Sequence, residues 1–301
     1  MSVYVEMIIP HDFHDLDDKD KALAEIHALK TRLENYFHIT KGITAEIDDS
    51  ECFDCRYSLH LNVCDIDIEL GNGFLYINGG WNYSQYFMMQ NNVSWLRDRH
   101  YDMACALGKS EAYITNEYHG SNNVYADGKE IGMHDMTFAL WQKEYPNPPI
   151  LTQSVINEYY SDQWSETEGV YLDTFEECRL RKQHLQDRLP DVTVLTSGTI
   201  VGDFLLALKD GNLIFVNETS GKILRTGKID GFYANYNQNG FVIYKGNRAA
   251  FFCTDGKRVT PYRATDYSIK YDNSNYPEPA TIHILDKASG KIVYTTTKPQ
   301  R

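Results

Sequence analysis

The sequence contains no run of eighteen apolar residues, so it predicts no membrane-spanning helix. Its first ten residues lack a basic start and a long apolar stretch; they alternate like a buried strand and include Glu6. That pattern does not fit a secretory signal peptide. The six cysteines are irregularly spread and do not form a disulfide framework. We therefore expect reduced thiols and a cytoplasmic location.

The chain also lacks the common motifs that would name a reaction. It has no G-x-S-x-G nucleophile elbow, no P-loop and no G-x-G-x-x-G fingerprint. We therefore expect a protein without catalytic activity and without a cofactor.

Positive charge is scarce in the first part of the chain. Residues 1–190 carry 32 acidic and 15 basic side chains, whereas residues 191–301 carry 10 and 14, within an overall net charge of −13. This split predicts two domains. The net charge repels phosphate backbones and anionic membranes, so neither nucleic acid nor a membrane is an expected partner. The same field attracts basic proteins and speeds their association.

The N-terminal part, residues 1–145, predicts an α+β domain with helices on an antiparallel sheet, in the order β-α-β-β-β-α-β. Apolar residues at helical spacing indicate helices over residues 19–38 and 92–107. Residues 56–63 alternate as a strand, and the apolar parity then changes near Cys64 and Asp65. A β-bulge would explain that change.

Residues 146–190 are predicted to form a helical connector. The run from Tyr145 to Pro149 contains three prolines and cannot be regular structure. A helix over residues 173–189 is expected, opened by Asp173 with Glu176 at capping-box spacing and closed by Pro190.

The last part, residues 191–301, predicts an all-β domain of about three repeated hairpin units. Similar turns, Ser220-Gly-Lys, Asp255-Gly-Lys and Ser289-Gly-Lys, recur at a spacing of 34 to 35 residues, each after an apolar strand. These hairpins resemble the blades of β-propellers. Three units are fewer than an ordinary propeller needs, so the prediction includes a propeller-like array, a β-trefoil or an open meander.

Two clusters contain residue types that bind metals. The sequence Cys52-x2-Cys55-x4-His60-x3-Cys64 resembles retroviral-type zinc knuckles in its spacing. A straight strand would place His60 and Cys64 about 13 Å apart, so we expect half-buried thiols and no metal there. The second cluster is the His11–Asp18 loop, with two imidazoles and several carboxylates. It suggests a metal-dependent hydrolase as the alternative function, although carboxylates before a helix also serve as caps.

The leading hypothesis is a non-catalytic cytoplasmic protein that recognises and neutralises a basic protein partner. In overall type, an acidic α+β protein without a recognisable active site resembles the bacterial immunity proteins that block toxin enzymes. The predicted contact residues combine carboxylates with two aromatic side chains of a kind that anchors interfaces: Asp48, Asp49, Glu51, Asp65, Asp67, Glu69, Trp81 and Tyr83. A carbohydrate-binding module on the β repeats is a further alternative.

Overall fold

A computed structural model describes residues 5–48, 56–61, 66–78, 93–116, 123–126, 129–132, 135–152, 170–224, 226–234, 240–272 and 281–297. The first part of the chain contains nine strands and four helices in these ranges: β1 (Val5–Pro10), α1 (Lys19–Phe37), β2 (Ile43–Asp48), β3 (Arg56–Leu61), β4 (Ile66–Gly71), β5 (Phe74–Asn78), α2 (Val93–Ala106), β6 (Ala112–Asn116), β7 (Asn123–Ala126), β8 (Lys129–Gly132), α3 (Phe138–Glu144), β9 (Tyr171–Asp173) and α4 (Glu176–Arg188). None of the described helices combines the length and hydropathy of a membrane span.

Seven strands form one antiparallel sheet in the order β2-β3-β4-β5-β1-β6-β9. Helix α1 packs on one face because its apolar residues recur every three or four positions: Ala22, Ile26, Leu29, Leu33 and Phe37 are all buried. Its start is fixed by the carboxylate of Asp18, which accepts the backbone N–H of Lys21 at 3.2 Å. The mixed α+β class is therefore confirmed, as are helices close to the predicted 19–38 and 92–107.

The segment that was predicted as a bulged strand is a hairpin. Strands β3 and β4 pair antiparallel, with Ser58 opposite Glu69 and Leu61 opposite Ile66. The chain therefore reverses direction between Leu61 and Ile66, so this segment is not one continuous strand; the predicted bulge position, Cys64 and Asp65, lies outside the described residues. The sheet also contains β2, which the sequence interpretation did not assign and which pairs with β3.

Helix α4 begins three residues later than predicted. Its N-cap is Phe175, in the left-handed conformation and without a side-chain cap, so the capping box from Asp173 to Glu176 does not form. Instead, Asp173 ends strand β9 and accepts the N–H of Phe175 at 2.8 Å. Strand β9 and helix α4 both lie in the segment predicted as a connector, and β9 is an edge strand of the seven-stranded sheet.

Residues after α4 form three antiparallel sheets of three strands each, and no helix occurs in the described residues beyond Arg188. Their strands are β10 (Thr193–Val194), β11 (Phe204–Lys209), β12 (Asn212–Asn217), β13 (Gly231–Ala234), β14 (Phe241–Lys245), β15 (Arg248–Phe252), β16 (Tyr267–Asp272), β17 (Thr281–Asp286) and β18 (Ile292–Thr297). We call these sheets the first (β10–β12), second (β13–β15) and third (β16–β18) C-terminal sheets.

Consecutive C-terminal sheets pack against one another. Phe215 of the first sheet contacts Phe232 and Phe241 of the second, at ring-centroid distances of 5.2 and 4.9 Å. The opposite face of the second sheet buries Phe251 in a cluster with Tyr267 and Ile284 of the third. The cluster that contains Phe215 also includes Ile26 and Leu59, so apolar packing is continuous with the N-terminal sheet.

The three Ser/Asp-Gly-Lys turns have matching hydrogen bonds. The backbone N–H groups of Asn217, Cys253 and Asp286 donate to the carbonyls of Lys222, Lys257 and Lys291 at 2.9, 2.9 and 3.0 Å. The glycine of each turn has a positive φ, which L side chains rarely adopt. The first and third turns therefore have the same length and the same hydrogen bonds, whereas the second turn is one residue shorter.

Two glycines of these turns give a matched test of packing between sheets. A Cβ on Gly256 would lie 2.7 Å from Phe204 and 2.9 Å from Leu224, whereas a Cβ on Gly290 would meet nothing within 4 Å. Their φ angles are similar, at 79° and 66°. We expect Gly256→Ala to lower the free energy of unfolding by about 1–3 kcal/mol more than Gly290→Ala, because only the first adds overpacking to backbone strain. Urea unfolding would measure this, and equal losses would contradict the packing between sheets.

Candidate functional site

Strands β2, β3 and β4 present a polar face on the side of the sheet opposite α1. In β4, Ile66, Ile68 and Leu70 are buried against the core, while Asp67 and Glu69 are only partly buried. This follows from the alternation of side chains along a strand. We call the polar side of these three strands the acidic face.

The strand register gathers the polar residues into two rows. Glu46 of β2, Ser58 of β3 and Glu69 of β4 lie opposite one another in the first row. Thr44, His60 and Asp67 form the second row. Because neighbouring strands are about 4.8 Å apart, the outer members of each row are separated by roughly 10 Å.

Within the second row, His60 and Asp67 contact one another. The Nδ1 atom of His60 lies 2.7 Å from an Asp67 carboxylate oxygen. Glu46 is exposed. By alternation, this side of β2–β4 has the acidic positions Glu46, Asp48, Asp67 and Glu69 and one basic position, Arg56, which lies opposite Asp48. The acidic face therefore carries net negative charge in contact with solvent.

The same side of the sheet is covered farther along, where helix α3 packs on it. Ile8 and Tyr76 are buried there with Trp141 of α3. Glu6 is also buried in this region and accepts a hydrogen bond from the hydroxyl of Tyr76. Helix α3 thus covers the β1 and β5 region, whereas the side chains of the two polar rows on β2–β4 remain partly or fully exposed.

The structure brings together some of the predicted contact residues. Asp67 and Glu69 share the acidic face, and Asp48 lies in β2 in register with Arg56. The remaining predicted residues lie outside the described part of the chain: Asp49, Glu51, Asp65, Trp81 and Tyr83. Glu46 was missed, although the alternation of residues 43–47 is a strand signal that would have found it.

In the His11–Asp18 loop, several polar side chains contact helix α1. His11 Nε2 lies 2.9 Å from Glu25 Oε1, and Lys21 Nζ lies 3.0 Å from an Asp15 carboxylate oxygen. The Lys21 backbone N–H, followed by its ammonium group, lowers the pKa of Asp18 below its ordinary value. Within the described residues, no three His, Cys, Asp or Glu side chains are arranged to hold a metal ion. The contacts of Asp15 and Asp18 with Lys21 are of the kind that stabilises the first turn of a helix.

The predicted cysteine cluster falls mainly outside the described residues. Cys52, Cys55 and Cys64 are not described, whereas His60 lies in β3 beside Asp67. The described cysteines, Cys105, Cys178 and Cys253, form no disulfide. Burial raises the pKa of the Cys178 thiol well above its ordinary value, which disfavours the reactive thiolate.

Sequence reasoning missed a buried ionic cluster centred on α2. Arg97 is 8% exposed and forms a two-point contact with Asp173, at 2.7 and 2.9 Å, plus a 2.6 Å bond to Glu177. Burial alone would lower the pKa of Arg97, but hydrogen bonding and attraction from Asp173 raise it above its ordinary value. This contact joins α2 to β9 and α4.

The other charged residues of α2 face the chain leading into the C-terminal sheets. Asp98 pairs with Arg181 and accepts the hydroxyl of Ser197, and Asp102 accepts the Ser197 N–H at 2.8 Å. Burial raises the pKa of Asp102 to about 6. These contacts connect the N-terminal sheet layer to residues 197–199.

His100, on the same helix, is fully buried. Neither of its ring nitrogens has a hydrogen-bond partner among the described residues. Burial lowers its pKa to about 4, so the imidazole is neutral near pH 7. The sequence contains no signal that distinguishes this cluster, because the four consecutive polar residues from Arg97 to His100 are equally typical of a solvated helix surface.

Comparison of the chain with protein-family models, with curated proteins and with solved structures finds no match.

Proposed function

We propose that this protein is a non-catalytic cytoplasmic binding protein that recognises and neutralises a basic protein partner through the acidic face. The observation that carries the proposal is the register of β2–β4, which places Glu46, Asp67 and Glu69 on one accessible surface. A toxin enzyme is the class of partner that we favour, because blocking an enzyme needs tight docking and no chemistry in the inhibitor.

The charge arrangement supports a basic partner in two ways. Close to the surface, the carboxylates offer acceptors for Lys and Arg side chains, which form charge-assisted hydrogen bonds. At longer range, the net charge of −13 attracts a cationic protein and raises the association rate. The sheet fixes the backbone positions of these residues, so binding requires no ordering of the backbone there.

We also propose that residues 191–301 form a repeat domain that serves as a scaffold, in a propeller-like, trefoil or open-meander arrangement, after an α+β domain over residues 1–145 and a connector over residues 146–190. Three successive sheets with matching Ser/Asp-Gly-Lys turns support the repeat.

Affinity capture from a lysate of the native host, with matched variants as bait, tests the proposal. Glu69→Lys reverses a charge on the acidic face, and Asp12→Lys makes the same charge change at an exposed site in the His11–Asp18 loop. We expect the wild type and Asp12→Lys to retain the same basic protein and Glu69→Lys to lose most of it, because steering and contact depend on where the charge lies. Quantitative mass spectrometry of the retained proteins gives the comparison.

Two results would contradict the proposal. Retention of the same proteins by the wild type and Glu69→Lys would show that the acidic face is not the binding surface. Loss of the partner with Asp12→Lys, but not with Glu69→Lys, would assign binding to the loop. Circular dichroism of each bait confirms that the variants are folded.

A further inference from the structure

A groove lies between the first and second C-terminal sheets, far along the sequence from the acidic face. It has a volume of about 1090 Å³, and its rim is formed by two of the Ser/Asp-Gly-Lys turns. Four cationic side chains line it: Lys222, Lys245, Lys257 and Arg258. We call this cavity the basic groove.

The positive charge of the basic groove is not balanced by the described residues around it. Asp255 is the one acidic residue that lines the groove, and its carboxylate accepts the backbone N–H of Lys257 at 2.8 Å. None of the four cations forms an ion pair with another described residue. In a protein with a strongly negative net charge, such a concentration of cations favours an anionic ligand.

Tyr262 holds two of the cations at one edge of the groove. Lys245 Nζ lies 4.7 Å from the centroid of the Tyr262 ring, and the Arg258 guanidinium carbon lies 5.8 Å from it. These are cation–π distances, so the ring restrains both side chains without neutralising them. Burial, followed by repulsion from Arg248 and Arg258, lowers the pKa of Lys245, while attraction from Asp230 opposes this shift.

The remaining walls limit the shape of the ligand. Ser220 and Asn217 provide polar groups beside Lys222, while Leu224 and Phe252 provide an apolar surface. Lys222 and Lys257 come from two separate turns, and Lys245 ends strand β14. A ligand that contacts cations at these separate places needs at least two anionic groups. A volume of about 1090 Å³ is at the upper end of small-molecule sites.

We propose that the basic groove binds a small molecule that carries two or more phosphate groups. Phosphate oxygens accept hydrogen bonds from Lys and Arg at several points, and a polyphosphate presents more than one anionic group to cations that come from different segments of the chain. This site is independent of the proposed partner-binding function, because it uses different residues on a different sheet.

The test uses the full chain and inorganic tripolyphosphate as the probe, with binding measured by calorimetry at about 50 mM salt, where surface charges are weakly screened. Lys257→Gln removes a cation from the groove. Lys291→Gln removes the equivalent lysine from the turn of the third sheet, which does not line the groove. We expect Lys257→Gln to weaken binding about tenfold or more, and Lys291→Gln to leave it unchanged.

A second variant and two further probes make the result decisive. Arg258→Gln should weaken tripolyphosphate binding as Lys257→Gln does, with the thermal unfolding midpoint of both variants confirming a folded protein. Equal affinity of the Lys257→Gln and Lys291→Gln variants would overturn the proposal, as would the absence of binding to the wild type. Tighter binding of a poly-glutamate peptide or of a neutral oligosaccharide than of tripolyphosphate would overturn it in favour of those ligand classes.

Discussion

Replacing Arg97 with methionine is expected to lower the free energy of unfolding by about 3–5 kcal/mol. Arg97 is buried, and Asp173, its partner, is 1% exposed. Methionine fills a similar volume but leaves the Asp173 carboxylate buried without its cation, which is far more costly than the loss of an exposed ion pair. The same substitution removes the ionic contact between α2 and β9, the edge strand of the N-terminal sheet. Urea unfolding followed by circular dichroism measures the change.

Arg179→Met provides the matched control for this prediction. Arg179 is on α4, two residues after Glu177, and is exposed. The control should change stability by no more than about 0.5 kcal/mol. If Arg97→Met lowered the free energy of unfolding no more than Arg179→Met, the ionic contact between α2 and β9 would not stabilise the folded protein.

Stability at acidic pH is expected to change in opposite directions when His100 and Asp102 are replaced. The pKa of His100 is about 4 in the folded protein, against an ordinary value of 6.5. As the pH falls from 6.5 towards 4, His100 is protonated in the unfolded chain but remains neutral in the folded protein. This difference lowers the free energy of unfolding by up to about 3 kcal/mol. His100→Leu removes that loss.

The protonation of Asp102 changes the free energy of unfolding in the opposite direction, because its pKa in the folded protein, about 6, lies above its ordinary value of 3.8. As the pH falls from 6 towards 4, the folded state binds a proton first, and this residue raises stability by up to about 3 kcal/mol. Asp102→Asn removes that gain and can still accept the Ser197 N–H.

Urea unfolding between pH 7 and about 4.5 tests both substitutions as differences from the wild type. We expect the difference in unfolding free energy to increase on acidification for His100→Leu and to decrease for Asp102→Asn. Parallel pH profiles of the wild type and both variants would show that neither buried group titrates with a shifted pKa.

Helix α1 could be predicted well from local sequence. The spacing of Ile26, Leu29 and Leu33 and the carboxylate of Asp18 are sufficient to define its buried face and its start. The hairpin of β3 and β4 could not be separated from a bulge, because a reversal of the chain and an inserted residue change the apolar parity in the same way. Only the pairing of the strands distinguishes them.

The buried ionic cluster could not be predicted for a different reason. The apolar positions of α2 predict where the helix begins and ends. Arg97 and Asp102, however, are residue types that are typical of the solvent-exposed side of a helix. They are buried because β9, α4 and residues 197–199 pack around this helix, and these partners are distant in the sequence. Likewise, alternation alone could place Asp67 and Glu69 on one side of β4 and Glu46 on one side of β2. The pairing of β2 with β3, which brings these residues onto one surface, could not be predicted from it.

The most direct test of the acidic face is the association rate of the captured basic partner with purified wild type, Glu69→Lys and Asp12→Lys. We predict that the rate falls steeply between about 10 mM and 500 mM salt, as the Debye length drops from ~30 Å to less than half of that. At low salt, Glu69→Lys should associate several-fold more slowly than Asp12→Lys, because only the first change lies on the docking surface. Equal rates for these two variants, or a rate independent of salt, would contradict the account.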